Sequence, residues 1–153
     1  MYEMVQMTRQ PDVLLVEDSE QDAELTLRVL RRHALAHRVV WVRDGAEALD
    51  YLFGLEGSPE APLAAEPRVV LLDMKMPKVD GREVLRRVKS DPRSRHIPVV
   101  VMSSSRVDHD IAVSLENGAN SYVVKPVGYD EFTDAVRQVG AYWLRLNQPS
   151  EER

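Results

Sequence analysis

Three acidic residues and one lysine each follow a short apolar run in this 153-residue chain. Glu17 and Asp18 follow the first run, Asp73 follows the third, and Lys125 follows the fifth. Three carboxylates in one place repel one another unless protons or a cation intervene. A set of oxygen ligands suits Mg²⁺, which takes one or two carboxylates, keeps several waters and leaves room for phosphate oxygens. If the fold brings these residues together, they predict a Mg²⁺ site.

Two side chains that follow apolar runs suit contact with a phosphoryl group. Ser103, after the fourth run, offers a hydroxyl, and Lys125 offers a compact positive charge. A carboxylate held beside Mg²⁺ can accept phosphate as an acyl phosphate. We therefore interpret the set as a site for phosphoryl transfer to an aspartate.

Short valine-rich runs alternate with segments of helical period along the chain. Runs of this kind are typical of strands buried inside a parallel sheet. The predicted strands are Val13–Val16, Val39–Val42, Val69–Leu72, Val99–Met102 and Tyr122–Val124. Ser19 and Asp22 have the spacing of a helix N-terminal cap, and we interpret Asp44-Gly45 and Asp80-Gly81 as turns. The alternation predicts an α/β fold, in which ligands bind beyond the carboxyl ends of the strands.

Composition narrows the class of protein. The chain is 44% hydrophobic and 29% charged, which predicts one domain with a real core. Its net charge of −5 argues against binding to nucleic acid or to an anionic membrane. It has no cysteine, no apolar run near the ~18 residues of a membrane span, and no apolar stretch typical of a signal peptide. We expect a cytoplasmic protein.

Five sequence blocks resemble the receiver domain of two-component response regulators. They are Val13–Asp18, Leu71–Pro77 with Asp80-Gly81, Val99–Ser104, Gly118-Ala119 and Val123–Pro126. The resemblance covers residues 12 to 140. It implies a flavodoxin-like, doubly wound (βα)5 fold whose parallel five-stranded sheet has the order 2-1-3-4-5. We divide the chain into an N-terminal extension (1–11), a receiver domain with an extended last helix (12–147), and a tail (148–153).

The resemblance implies the residues of a metal and phosphoryl site. Asp73 matches the phospho-acceptor, and Asp18 and Asp73 match carboxylates that bind Mg²⁺ directly. Lys75 matches the residue that binds the metal through its backbone carbonyl, and Glu17 matches the acid that reaches it through water.

The resemblance also implies the residues of a switch. Ser103 matches the switch hydroxyl, and Lys125 matches the lysine that contacts phosphoryl oxygens. Tyr122 matches the aromatic residue that turns inward, with plain packing as its alternative. The family has a cis peptide at the position of Lys125-Pro126, so we expect one here.

The leading hypothesis is a stand-alone response regulator, not an enzyme with an external substrate. It would take a phosphoryl group from a histidine kinase onto Asp73 and switch the surface of its fourth helix, fifth strand and fifth helix. Only residues 148–153 follow that helix, so we expect output through a partner protein or onward phosphotransfer. The alternatives are a metal-dependent phosphatase acting on an external phosphoester, and a scaffold that accepts no phosphate.

Three segments are similar to single-domain receivers that are paired with bacterial phytochrome kinases. They are the long loop at 54–67, Ser90-Asp91-Pro92 and Tyr142-Trp143-Leu144. We therefore expect a place in phytochrome (light) signalling, with a bacteriophytochrome as the sensor kinase.

The last helix predicts a homodimer. A helix from Tyr129 to Asn147 would be ~28 Å long, whereas strands of about five residues reach only ~17 Å. The overhanging residues would be Tyr142, Trp143, Leu144 and Leu146. Exposed apolar side chains of this kind usually mark an interface. In the alternative, the loop at 54–67 folds back and covers them.

Overall fold

The computed structural model describes residues 11–54, 59–76 and 79–149. Five parallel strands form one sheet in the order β2-β1-β3-β4-β5, which confirms the expected topology. The strands are β1 (Val13–Val16), β2 (Val39–Val42), β3 (Val69–Leu72), β4 (Val99–Ser103) and β5 (Ser121–Val124). β4 ends one residue later than predicted, and β5 begins one residue earlier. Pro77 and residues 1–10 lie outside the described residues.

A helix follows each strand, and together the helices cover both faces of the sheet. They are α1 (Glu20–Arg32), α2 (Gly45–Phe53), α3 (Gly81–Ser90), α4 (Asp108–Glu116) and α5 (Tyr129–Ala141), and a π-helical turn (Tyr142–Leu146) extends α5. Side-chain oxygens cap three N-termini, as the sequence indicates for α1. Ser19 accepts a hydrogen bond from the amide of Asp22, and Asp44 and Asp80 cap α2 and α3 in the same way. Within the described ranges, no helix has the length and apolar character needed to cross a bilayer.

The sheet separates two apolar cores because successive strand residues point to opposite faces. Leu14 and Val16 face the core covered by α2 and α3, whereas Val13 and Leu15 face the core covered by α1 and α5. Every residue of β1 and β3 is buried. Each such side chain stabilises the fold by about 1.5–3 kcal/mol. The buried strands β1 and β3 therefore hold the backbone of the residues that follow them in place.

The end of the last helix differs from the prediction. Leu144 is only 4% exposed and belongs to the same apolar cluster as Leu30 and Leu35, so its prediction as an overhanging residue is wrong. The reason is that the chain just after α1 supplies a packing surface beyond the sheet. Arg145 donates hydrogen bonds to the carbonyls of His33 and Ala34 there, at 3.2 and 2.9 Å.

The other predicted overhanging residues are less buried. Trp143 is half-buried against the same cluster, whereas Tyr142 and Leu146 are 48% and 73% exposed. Within the loop at 54–67, residues 55–58 lie outside the described residues. Its described part is held by α2 and by the segment before β4, through bonds from Ala64 N to the Leu52 carbonyl and from Arg93 to the Ala61 carbonyl.

Truncation of two leucines tests this packing. Leu144→Ala should lower the free energy of unfolding by about 2–4 kcal/mol, because it leaves a cavity in a closed core. Leu146→Ala, two residues away and exposed, is the matched control and should change it by less than about 0.5 kcal/mol. Urea denaturation measures both variants. Equal effects of the two would contradict burial of Leu144.

Candidate functional site

The acidic residues meet at the carboxyl ends of β1 and β3. These strands are neighbours with Val16 opposite Leu72, so Glu17, Asp18 and Asp73 emerge side by side. One carboxylate oxygen from each residue lies within 4.8 Å of the others. Glu17 is buried and Asp18 is exposed, so the cluster extends from the protein interior to solvent.

Lys125 is the cation that faces this cluster. Its Nζ donates hydrogen bonds to Glu17 Oε1 at 2.6 Å and to Asp22 Oδ2 at 3.0 Å, and it lies 3.8 Å from Asp73 Oδ2. The backbone amide of Lys125 donates to the Ser103 carbonyl at 2.8 Å, which fixes the start of the side chain beside β4. The structure thus brings together all four charged residues that the sequence proposed, and it adds Asp22.

Burial and charge set the protonation of this group. Burial and the nearby charge of Asp73 raise the pKa of Glu17 from 4.5 to about 7, although the bond to Lys125 acts in the opposite direction. Burial alone would lower the pKa of Lys125, but the bond to Glu17 and the charge of Asp73 outweigh it and raise that pKa. At neutral pH the lysine is therefore charged, and Glu17 is near the midpoint of its titration.

The donor set suits a small divalent cation. Two of the three carboxylates, those of Glu17 and Asp73, lie within 4.0 Å of the Lys125 ammonium, and all three supply only oxygen ligands. The backbone amide of Lys75 lies 3.4 Å from Asp73 Oδ1, and the Ser19 amide lies 3.2 Å from Glu17 Oε2. These contacts orient carboxylates of the cluster. The metal-binding role of the Lys75 carbonyl stays a prediction.

Ser103 and Tyr122 meet at the loop between β4 and α4. Ser103 Oγ accepts a hydrogen bond from the Ser105 amide at 3.2 Å. The Tyr122 hydroxyl donates to the Ser105 carbonyl at 3.0 Å. Tyr122 is half-buried, and its hydroxyl group ties it to the loop that follows the expected switch hydroxyl.

This loop is also tied to α3 and α4. Ser105 Oγ donates to Asp110 Oδ2 at 2.6 Å, and Asp110 pairs with Arg82 at 3.6 Å. A groove of about 460 Å³ runs from the acidic cluster to these residues. Its lining includes Asp18, Lys75, Arg82, Ser103, Asp110 and Tyr122. Asp18 is the member of the acidic cluster that lines this groove.

Gly81 has a packing role that the turn interpretation missed. A Cβ on Gly81 would lie 2.5 Å from the backbone oxygen of Asp73 and 2.5 Å from Met74 Cα. The Gly81 amide donates to the Met74 carbonyl at 3.1 Å. Glycine at this position therefore lets α3 begin directly against the segment that follows Asp73.

The sequence did not identify four other residues of the site, and it predicted the wrong isomer for one peptide bond. Asp22, Ser105, Asp110 and Arg82 join the site through side-chain contacts, and only the first-turn position of Asp22 in α1 offered a signal. The expected cis peptide at Lys125-Pro126 is wrong, because the described residues contain no cis peptide bond. Trans is the lower-energy form of such a bond.

Comparisons with known proteins agree with this geometry. The response regulator receiver domain family matches residues 13–137. The probable methanogenesis regulatory protein FilR2 of Methanothrix harundinacea is 42% identical over 136 residues, which cover 89% of this chain and 85% of FilR2. Response regulator Rcp1 of Synechocystis is 35% identical over 132 residues, which cover 86% of this chain and 88% of Rcp1.

Solved structures of two such proteins are similar to this chain. The phosphorylated cyanobacterial phytochrome response regulator RcpA superposes with a TM-score of 0.82 at 36% identity, covering 94% of this chain and 100% of RcpA. The Mn²⁺-bound form of Rcp1 superposes with a TM-score of 0.79 at 32% identity, covering 92% of this chain and 99% of Rcp1.

The raised pKa of Glu17 predicts a pH dependence of stability. Between pH 4.5 and about 7 the folded protein binds the Glu17 proton more tightly than the unfolded chain does. Without metal, the free energy of unfolding should therefore fall as the pH rises through this window. Glu17→Gln should remove its part of the slope in urea titrations with a chelator present. Glu24→Gln, an exposed glutamate of α1, should leave the slope unchanged. A wild-type slope in Glu17→Gln would contradict the assignment.

Proposed function

Because the chain belongs to the response regulator receiver family, we propose that it accepts a phosphoryl group from a histidine kinase onto Asp73. The observation that carries this proposal is the position of Asp73 within 4.8 Å of two other carboxylates and 3.8 Å from the Lys125 ammonium. An Asp73 oxygen attacks phosphorus while the bond to the donor breaks, and the leaving group takes up a proton.

We propose Mg²⁺ as the cofactor. Receiver domains bind a divalent metal, and the similar structure of Rcp1 is a Mn²⁺-bound form. Asp18, Asp73 and the Lys75 carbonyl would bind the ion directly, and Glu17 would bind it through water. The ion would supply positive charge to the phosphoryl oxygens. Asp73 would supply the nucleophile, and Lys125 would donate a hydrogen bond to a phosphoryl oxygen.

We propose that Ser103 and Tyr122 pass the phosphorylation state to the surface of α4, β5 and α5. A phosphoryl group on Asp73 offers the Ser103 hydroxyl a new acceptor, and this hydroxyl already accepts the Ser105 amide. The Ser105 carbonyl holds Tyr122, and the Ser105 side chain holds the first turn of α4. Val107, the N-cap residue of α4, is 58% exposed, and Leu115 within α4 is 48% exposed. Exposed apolar side chains of this kind suit contact with a downstream protein or phosphotransfer partner.

We infer a phytochrome setting from the relatives. RcpA is a cyanobacterial phytochrome response regulator, and it covers 94% of this chain. A bacterial phytochrome kinase is therefore the proposed sensor. We further propose that the receiver domain spans residues 12–147 and that the protein acts in the cytoplasm. The acidic net charge of −5 favours protein partners over nucleic acid or membranes.

We propose a signalling role rather than an enzyme role. A metal-dependent phosphatase acting on an external phosphoester would need a second acid free for general acid–base catalysis. Glu17 and Asp22 are both bound to Lys125, and Asp18 is the acid that we assign to the metal. The phosphatase alternative also predicts turnover of free phosphate esters, which an assay with a generic ester measures.

Phosphorylation of two variants tests the acceptor. Asp73→Asn should keep its fold and lose labelling by acetyl phosphate or a histidine kinase, because an amide is not a nucleophile of this kind. Asp80→Asn is the matched control, since Asp80 lines the groove beside Asp18 and asparagine still caps α3. The label is followed by its sensitivity to hydroxylamine. Wild-type labelling of Asp73→Asn would contradict the proposal.

We also propose a homodimer through the end of the last helix, over a smaller surface than the sequence indicates. Tyr142 and Leu146 are exposed, and the rings of Tyr142 and Trp143 pack edge to face with centroids 5.0 Å apart. Trp143 is half-buried and Leu144 is buried, so they support the surface from within. Aromatic residues beside exposed apolar ones are typical of interface centres.

Light scattering at micromolar concentrations tests the dimer. Wild type should have the mass of a dimer, and Leu146→Glu should have the mass of a monomer, because it places a charge in the apolar contact. Leu115→Glu, an exposed leucine on α4, should remain dimeric. A monomeric wild type, with or without a phosphate mimic, would rule the dimer out.

A further inference from the structure

Asp22 reaches the site from α1, a helix that supplies no member of the acidic cluster. It lies in the first turn of α1, and its Oδ2 accepts a hydrogen bond from Lys125 Nζ at 3.0 Å. Its backbone is fixed on both sides: the amide donates to Ser19 Oγ at 3.3 Å, and the carbonyl accepts from Thr26 Oγ1 at 2.8 Å. The helix start thus holds the Asp22 carboxylate at the tip of the lysine.

The lysine divides its donors among several acids. An ammonium group has three N–H donors. Glu17 Oε1 at 2.6 Å and Asp22 Oδ2 at 3.0 Å take two of them, whereas Asp73 Oδ2 at 3.8 Å is beyond hydrogen-bonding distance. One donor is therefore available for Asp73, or for an oxygen of a group attached to Asp73.

Asp22 differs from the other acids around Lys125. Glu17 and Asp73 belong to the three carboxylates that lie within 4.8 Å of one another and could hold a metal, and Asp22 does not. A cation in that cluster competes with Lys125 for Glu17 and Asp73. It does not compete for Asp22, whose contact with the ammonium can persist.

We propose that Asp22 is a positioning residue that anchors Lys125 while the metal and the phosphoryl group occupy the other carboxylates. Without Asp22, Lys125 would lose its contacts with Glu17 and Asp73 together when a metal ion binds to the cluster. With Asp22 in place, the ammonium stays within reach of an oxygen on Asp73. The inference rests on the proposed function, in which Asp73 is the phospho-acceptor.

The competing role for Asp22 is structural only. An acidic residue in the first turn of a helix stabilises that helix through its dipole. Such a role would change the melting temperature but would not depend on Lys125. Glu20 is an exposed acid in the same turn, so Glu20→Gln is a matched control for the dipole contribution.

A double-mutant cycle between Asp22 and Lys125 tests the anchor. Beryllofluoride serves as the phosphoryl mimic, and its dissociation constant is measured by calorimetry at saturating Mg²⁺. The proteins are wild type, Asp22→Asn, Lys125→Met and the double variant, together with Glu20→Gln. Asp22→Asn should weaken binding about threefold to tenfold, as expected for a partly exposed charged hydrogen bond. In the Lys125→Met background it should cause no further loss.

The outcomes separate this inference from the proposed function. Equal loss from Asp22→Asn in both backgrounds, or no loss in either, would overturn the anchor. An effect of Glu20→Gln as large as that of Asp22→Asn would overturn it too, because the helix dipole would then be the cause. Asp73→Asn should bind beryllofluoride far more weakly than wild type. If it binds equally well, the proposed acceptor fails, and the anchor fails with it.

Discussion

Mutual repulsion of three carboxylates is the constraint around which this structure is arranged. Glu17, Asp18 and Asp73 place oxygens within 4.8 Å of one another at the end of two buried strands. Burial makes the negative charge of Glu17 more costly, and together with the charge of Asp73 it raises the pKa of Glu17 to about 7. Lys125, which follows β5, reduces this cost from across β3 and β4, with its Nζ 2.6 Å from Glu17. The strand order that brings β5 beside β4 is therefore part of the electrostatics of the site.

Two polar networks meet at one backbone hydrogen bond. The Lys125 amide donates to the Ser103 carbonyl at 2.8 Å, so the lysine of the acidic cluster and the hydroxyl of the β4–α4 loop are held together. On one side Lys125 binds Glu17 and Asp22. On the other, Ser105 binds Asp110 at the start of α4. A short series of contacts therefore connects Asp73, through Lys125 and the β4–α4 loop, with the surface proposed for partner binding.

The sequence predicted the elements better than it predicted the contacts between side chains. Valine-rich runs marked all five strands, and the three inner strands are buried throughout, because strands covered on both faces need apolar residues at every position. The strand order came from the family resemblance. Asp22 and Lys125 are 103 residues apart, and no periodicity indicates that their side chains meet. Leu144 was misplaced because helix length was compared with the sheet alone, whereas the turn at His33 and Ala34 also packs there.

The stability of Lys125→Met, with and without Mg²⁺, tests the central electrostatic claim most directly. Methionine keeps most of the aliphatic chain and removes the charge. Without metal, the variant should lose free energy of unfolding on the order of 3 kcal/mol at pH 8, because the buried carboxylates lose their counter-charge. Mg²⁺ should then stabilise the variant more than it stabilises wild type, because the ion takes over that neutralisation. A variant as stable as wild type without metal, and with the same response to Mg²⁺, would contradict the account.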